Sequence, residues 1–523
     1  MARTTPLDDL ALAPRLAGEK SGVWLDRALR AAIQGGQLPA GARVPSSRRL
    51  GTQHGLARGT VMEVFAQLEV EGYLESRAGS GTRVARTLPD DFFRPAEKAH
   101  PRQARKAVVR RAALSKRGAR LTHTPFPQAS LVPRIRAFRA YQPSVEEFPV
   151  EVWARLSARK MRQVTRAMLA GTPELGWRPL QEAIAGHLGA TRGVVCEPEQ
   201  VMIVSGTQQA LDLATRLLLA PGDAVWMEDP GYPGATALFR AAEARIVPVP
   251  VDDHGLQVAV GRRRARAARM AYVTPANQFP LGGALALERR LELLDWARES
   301  GAWVFEDDYD SEFRFVGRPL AALQGLDGSG QTLFSCSFNK MLFPTLRLGA
   351  LVLPPGLVEP FRAARSLLDR HPPLLDQLVL CDFISEGHFG RHLRRMRQIY
   401  TERLAVLQEA IATLEGRLTL GRCDTGLQTT AWLTGGIDAQ PFATRLAAEE
   451  VEVIPLAPYG LEWPAQHGLH LGFGAVNGRE IQRGVEKMRQ VLRSFPTKQR
   501  GRGFQDGPSP NPRNRVACGE PSP

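Results

Sequence analysis

Cysteine is scarce in this chain. There are five in 523 residues (Cys196, Cys336, Cys381, Cys423 and Cys518), an odd number with no C-x-x-C spacing. That argues against a disulfide framework and a cysteine-based structural zinc site, and it fits a reducing, cytoplasmic compartment. Long hydrophobic runs are missing too. No apolar stretch reaches the ~18 residues that a membrane-spanning helix needs, and the N-terminus lacks a signal-peptide pattern, so no membrane partner is expected. The ten histidines form no cluster beside the acidic runs, so no metal site is expected.

What the chain does have is length and positive charge. At 523 residues it is too long for one compact core, so two or more domains are expected. The net charge of +15 is unevenly spread. Residues 86–140 hold 14 basic against 3 acidic groups, whereas 141–493 hold 38 against 40. A near-neutral large domain is joined to basic segments, which points to a polyanion partner for the N-terminal part.

From Ser21, Leu25, Leu29 and Ile33 share one helical face that stops at Gly35 and Gly36. Pro45, Ser46 and Ser47 offer N-caps to a second short helix. Arg58, Gly59 and Thr60 open a third, with Val61, Val64, Phe65 and Leu68 at i, i+3, i+4, i+7. Two short strands around Gly79 and Gly81 complete a winged helix-turn-helix. In that geometry the start of the third helix enters the major groove. Arg58 is then placed to read guanine, while Arg43, Ser46, Arg48, Thr60, Gly79 and Gly81 suit phosphate contacts. The run P-A-G-x-R-V-P-S-S-R-x-L and the later E-G-Y-L-x-x-R-x-G-S-G-T closely resemble the GntR-type DNA-binding domain over residues 20–86. Ala57 departs from the serine usual there, which removes one phosphate hydrogen bond.

Residues 87–144 carry repeated Arg and Lys with little apolar clustering and read as a flexible basic linker. Beyond it, residues 145–494 alternate apolar strands with helical segments, as in an α/β domain with a mostly parallel sheet. Residues 495–523 are rich in Pro, Gly, Arg and Asn and read as a disordered tail.

Ligand sites of α/β folds gather at the carboxyl ends of strands. The strand at 201–204 is followed by Ser205, Gly206 and Thr207 and a helix, an arrangement that presents amides and a hydroxyl to a phosphate. Tyr232 follows the strand at 225–229 and is able either to stack on a planar ring or simply to pack. Asn277 follows the strand at 270–273. Glu306, Asp307 and Asp308 form a run of carboxylates that is costly unless partnered, with a metal site as the rival to a cofactor site. Residues 335–340 read as a short strand ending in Lys340, with Arg347 brought back seven residues later. A lysine there can form a Schiff base while Ser337 and Arg347 hold a phosphate, or it can be an ordinary surface lysine.

The order of these features, with S-G-T-Q-Q-A-L at 205–211, T-P-x-x-Q-F-P at 274–280 and E-D-D-Y-D-S-E-F-R at 306–314, resembles fold-type I aminotransferases. Together with the head, the chain resembles the MocR/GabR family, in which a GntR-type domain precedes an aminotransferase-like domain. The resemblance implies pyridoxal 5'-phosphate as cofactor. Lys340 would form the internal aldimine, Asp307 would face the pyridine nitrogen, Tyr309 the phenolic oxygen, and Tyr232 would stack on the ring. Gly206, Thr207, Ser337 and Arg347 would hold the phosphate, and Asn277 would lie beside the cofactor. It also implies promoter DNA as a partner, a small amine or amino-acid-like effector, and a head-to-tail homodimer. His470 stands where aminotransferases place the arginine that clamps a substrate carboxylate, and an imidazole binds a carboxylate more weakly than a guanidinium. Three functions follow as expectations: a regulator sensing its effector at Lys340, a working aminotransferase with a fused DNA-binding head, or a cofactor-free repressor.

Overall fold

The structure, a computed structural model, describes residues 10, 12–77, 81–88, 114–123, 135–463 and 466–495. Gly79, most of the basic linker and the tail from 496 onward lie outside the described residues. The chain divides into two compact units, Met1–Ala112 and Ala113–Pro523.

In the first unit, α1 (Ser21–Gln34), α2 (Ser47–His54) and α3 (Arg58–Val70) precede β1 (Leu74–Arg77) and β2 (Gly81–Val84). The stripe seen in the sequence does the packing: Leu25, Leu29 and Ile33 of α1 are buried with Val61, Val64, Phe65 and Leu68 of α3. Ser46 caps α2, its Oγ accepting from the Arg49 amide at 3.3 Å, and Gly55 ends the helix in the left-handed region at φ 64°. β1 and β2 pair antiparallel, with Leu74 opposite Val84. This is the winged helix-turn-helix expected. The N-cap of α3 is Ala57, which supplies no side-chain acceptor to the first-turn amides.

The second unit is built on an eight-stranded sheet. Its strands are β3 (Val201–Val204), β4 (Ala224–Asp229), β5 (Arg245–Asp252), β6 (Gly255–Leu256), β7 (Met270–Val273), β8 (Trp303–Asp308), β9 (Thr332–Ser337) and β10 (Gly349–Val352). The order across the sheet is β3-β10-β9-β8-β7-β4-β5-β6. The pairs from β5 through β4, β7 and β8 to β9 are parallel, while β10 runs antiparallel to both β9 and β3. Strands buried on both faces need continuous apolar runs, which Val-Met-Ile-Val and Met-Ala-Tyr-Val supply. Trp226 and Trp296 stack at 3.7 Å between the sheet and its covering helices.

A second, antiparallel sheet was not foreseen. It comprises β11 (Leu418–Leu420), β12 (Gln428–Leu433), β13 (Ile454–Pro455) and β14 (Gly468–Gly472) in the order β11-β12-β14-β13. Its strands are short, and β13 has only two residues, too few for an alternation to register.

The linker expectation is corrected at its C-terminal end. Residues 135–144 are packed into the large unit. Ala137 bridges Val451, and the Phe138 carbonyl accepts from the Gly472 amide at 3.0 Å. The Phe138 ring lies where a Cβ on Gly484 would approach within 2.6 Å. A single aromatic filling a glycine notch carries no periodicity, so composition concealed it. Within the expected linker, Lys116–Leu121 is helical, and Arg120 pairs with Glu243. Phe495, assigned to the tail, packs on Phe442 with ring centroids 5.8 Å apart.

Ala57→Ser should restore a cap to α3, worth about 1 kcal/mol. In the full-length protein, amide exchange over the helix Arg58–Val70 is expected to slow about fivefold. An unchanged rate would show that those amides already have partners.

Candidate functional site

The carboxyl ends of β3, β8 and β9 lie at one edge of the sheet, where Thr207 meets Asp307 and Gly206 meets Ser337. β8 alternates sides, so its three consecutive carboxylates go to different places. Glu306 accepts from the amides of Leu323 (2.9 Å) and Gln324 (3.0 Å). Asp308 is paired with Arg192, whose Nε lies 2.7 Å from Oδ2. Asp307 alone turns to the opposite face. There Thr207 Oγ1 donates to its Oδ1 at 3.0 Å and the Tyr272 hydroxyl to its Oδ2 at 2.6 Å. The run is therefore not a convergent ligand set, and no group of three metal-binding side chains occurs among the described residues. Burial pushes the Asp307 carboxyl up to about 6, although Tyr272, Lys340 and Thr207 all favour its ionised form.

Lys340 lies three residues past the end of β9, in a turn, rather than at the strand's last position. Its Nζ stands 4.0 Å from the Tyr309 ring centroid and 5.5 Å from that of Tyr141. Burial lowers the lysine's pKa, while Asp310 and Asp307 favour its charge. Tyr309 is enclosed, and burial, reinforced by Asp310 and Asp307, keeps its phenol protonated well beyond neutral pH. The Tyr232 ring lies nearly parallel to Tyr272 at 6.4 Å, and its hydroxyl donates to Gln208 Oε1 at 3.2 Å.

Gly206, Ser337 and Arg347 are brought together as the sequence anticipated. Gly206 has φ 134° at the N-terminus of the helix Thr207–Leu218, and a Cβ there would come within 3.2 Å of Asn339 Nδ2. Asn339 ties the turn together, donating to the Ser205 carbonyl (3.3 Å) and accepting from the Leu348 amide (3.1 Å). Arg347 adopts φ 53°, and its guanidinium donates to Ser205 Oγ at 3.4 Å. Thr207 differs from expectation in one respect: its hydroxyl is committed to Asp307, which leaves the helix N-terminus as its route to a phosphate.

Asn277 Nδ2 donates to Asp310 Oδ1 at 2.7 Å, while its buried Oδ1 has no protein partner. Four site residues escaped the sequence reading. Tyr272 sat inside an apolar strand and read as packing. Ser205 and Asp310 lay within the quoted motifs without a role. Tyr141 belonged to the supposed linker. His470, on β14, is completely buried. Its ring is met edge-on by Tyr141 (5.4 Å), Phe279 (5.5 Å) and Tyr459 (5.8 Å). Burial, helped by Lys340, depresses its pKa to about 3, so the imidazole is neutral.

In the head, Arg43, Ser46, Arg48, Arg58 and Gly81 are exposed, and Thr60 is half-buried. The Arg43 guanidinium lies against Gly81, 3.2 Å from the place of a Cβ. Arg58 occupies the first turn of α3.

Residues 140–487 match the family described as aminotransferase class I and II, and residues 25–84 match the bacterial regulatory proteins of the gntR family. The probable rhizopine catabolism regulatory protein MocR of Rhizobium meliloti is 40% identical over 467 residues, covering 89% of this chain and 92% of its own. The HTH-type transcriptional regulator TauR of Rhodobacter capsulatus is 31% identical over 499 residues, 93% and 99% of the two chains. Among solved structures, LysN, the alpha-aminoadipate aminotransferase of Thermus thermophilus complexed with N-(5'-phosphopyridoxyl)-L-leucine, aligns with a TM-score of 0.65 and 28% identity. The alignment covers 73% of this chain and 97% of that one.

Glu228, at the end of β4, is a buried carboxyl that accepts from the Thr274 hydroxyl at 2.6 Å. Burial raises its pKa from 4.5 to about 7. A carboxyl raised on folding binds more protons in the native state, so its contribution is intact below about pH 4.5 and is lost as pH rises through about 7. Glu228→Gln keeps an oxygen acceptor and cannot ionise. Relative to this variant, the cofactor-free wild type should lose on the order of 2 kcal/mol between pH 5 and 8, as read by denaturant unfolding at each pH. Parallel curves would show that Glu228 does not titrate in that window.

Proposed function

Because this chain belongs to the class I and II aminotransferase family and carries a GntR-family head in front of that domain, the arrangement of its MocR-type relatives, we propose that it is a pyridoxal-phosphate-dependent DNA-binding transcriptional regulator that senses an amine or amino-acid-like effector at Lys340. The observation that carries the reading is the pairing of Asp307 and Lys340 across one site. A buried carboxylate is held by two hydroxyl donors, and a lysine amine is poised over an aromatic face.

The residues fit the cofactor. Asp307 has lone pairs to spare beyond its two donors, enough to accept a ring N–H. The space a Cβ would fill at Gly206, beside Asn339 and Ser337 at a helix N-terminus, with Arg347 held to the adjacent Ser205, would suit a phosphate. The unpartnered Asn277 Oδ1 awaits a donor. When bound, pyridoxal phosphate supplies an electrophilic carbon for which the lysine and an incoming primary amine compete, and a protonated ring that withdraws electrons. Asp307 holds the proton on the ring nitrogen. Tyr309 keeps its own proton and donates a hydrogen bond toward the ring oxygen. Lys340, whose charge burial disfavours and Asp310 and Asp307 favour, would supply the chain's own amine to that carbon. Tyr232 would cover a face of the ring.

Two copies in head-to-tail pairing would present two heads to two half-sites of a promoter in the cytoplasm. The effector biases DNA binding to the extent that it favours one state over another, typically by ~1–3 kcal/mol. A working aminotransferase is the alternative; the intact Lys340, Asp307 and Tyr309 serve both readings, while the fused head and His470 in place of a carboxylate-clamping arginine weigh against it. Steady keto-acid formation under multiple turnover would distinguish it.

Lys340→Ala should abolish the visible absorbance of the cofactor-loaded protein and the response of promoter binding to amines. A wild type without that absorbance would sink the reading. Arg58→Ala should weaken specific promoter binding by about 1–3 kcal/mol in a salt-controlled shift assay and leave the visible band intact. Loss of the band in this variant would contradict the division of labour between the units.

A further inference from the structure

The wall beside Lys340 carries more information than the cofactor residues do. Tyr141, Phe279, Tyr309, Tyr459 and His470 form one continuous aromatic cluster. Tyr141 stacks on Phe279 at 5.9 Å, and Phe279 meets Tyr309, Tyr459 and His470 edge-on between 5.5 and 5.9 Å. The polar atoms of this wall are neutral. The Tyr141 and Tyr459 hydroxyls share a 2.5 Å hydrogen bond, and the Tyr141 hydroxyl also lies 3.5 Å from His470 Nδ1. The other ring nitrogen of His470, Nε2, is buried without a protein partner.

The charges nearby are of the wrong kind for an anionic ligand. Asp307 and Asp310 are buried carboxylates on the floor, 5% and 2% exposed. Lys340 is the amine that the reaction occupies, and Arg347 is turned to Ser205 in the phosphate cradle. Desolvating a carboxylate against phenol hydroxyls and a neutral imidazole, close to two more carboxylates, is strongly unfavourable. An uncharged far end meets no such penalty and finds aromatic faces and hydroxyl partners.

We propose that the effector is a primary amine without a carboxylate, its uncharged far end held by the Tyr309 and Tyr141 rings that face the Lys340 amine and by the Tyr141–Tyr459 hydroxyl pair. The inference rests on the reading that Lys340 carries pyridoxal phosphate. It would separate this chain from a sensor of α- or ω-amino acids.

Matched ligands test it on the full-length protein loaded with pyridoxal phosphate. The pairs are phenethylamine against phenylalanine and 4-aminobutan-1-ol against 4-aminobutyrate, followed by the visible spectrum and independently by titration calorimetry. The amine of each pair should bind at least about tenfold tighter. Equal or tighter binding of the amino acids, in a protein that shows the visible band, would overturn the inference and leave the cofactor reading standing. Absence of the band would overturn both. Two variants probe the wall itself. Tyr459→Phe should weaken 4-aminobutan-1-ol several-fold and leave phenethylamine unchanged, and an unchanged amino alcohol would refute the hydroxyl contact. His470→Arg, if folded by circular dichroism, should shift preference toward the carboxylates, and an unaltered preference would show that this wall does not set it.

Discussion

The rest of the site depends on one carboxylate being held ionised in a place that disfavours its charge. Asp307 is enclosed, and an unpartnered buried charge costs several kcal/mol. The hydroxyls of Thr207 and Tyr272 offset that cost, each from a different strand end or helix start. The neighbours on β8 secure it from behind. Glu306 is fixed by two backbone amides and Asp308 by Arg192, so the strand cannot slip by one residue without stranding three charges at once. The register of the sheet and the chemistry of the site are the same constraint.

Two sides of the cavity then acquire different characters. On one, the glycine turn after β3 and the Asn339-centred turn after β9 bring Ser337 and Arg347 to the start of the helix Thr207–Leu218, where the phosphate cradle is proposed. On the other, the second sheet and the segment around Tyr141 supply rings and hydroxyls. Lys340 stands between them because β9 ends at Ser337 and the chain turns before reaching it. A lysine on the strand itself would be fixed to one face of the pleat.

Much of this was legible in the sequence. The head declared itself through an i, i+3, i+4, i+7 stripe and a Ser46 cap, both of which the structure repeats. The cradle residues and the carboxylate run lie where strands end, and buried parallel strands are conspicuous as unbroken apolar runs. The residues that escaped did so for physical reasons. Tyr272 looks like any aromatic in a buried strand, because a hydroxyl that donates to a carboxylate 35 positions away leaves no local trace. The second sheet is made of strands too short to show a period. Ten residues of the supposed linker are anchored by Phe138 in a glycine notch and by single backbone hydrogen bonds, which composition cannot reveal.

That anchored segment joins the entry of the large unit to its site. Tyr141, whose ring faces the lysine amine, lies three residues after Phe138. Phe138 and Tyr141 both sit at φ 65°, a left-handed conformation that bulky side chains adopt only under constraint. The anchored entry segment of the large unit is therefore itself part of the aromatic wall beside Lys340. A displacement of the Tyr141 ring bears first on Phe138 in its glycine notch and on the backbone contacts of Ala137 with Val451 and of Phe138 with Gly472, without a relay through the large sheet.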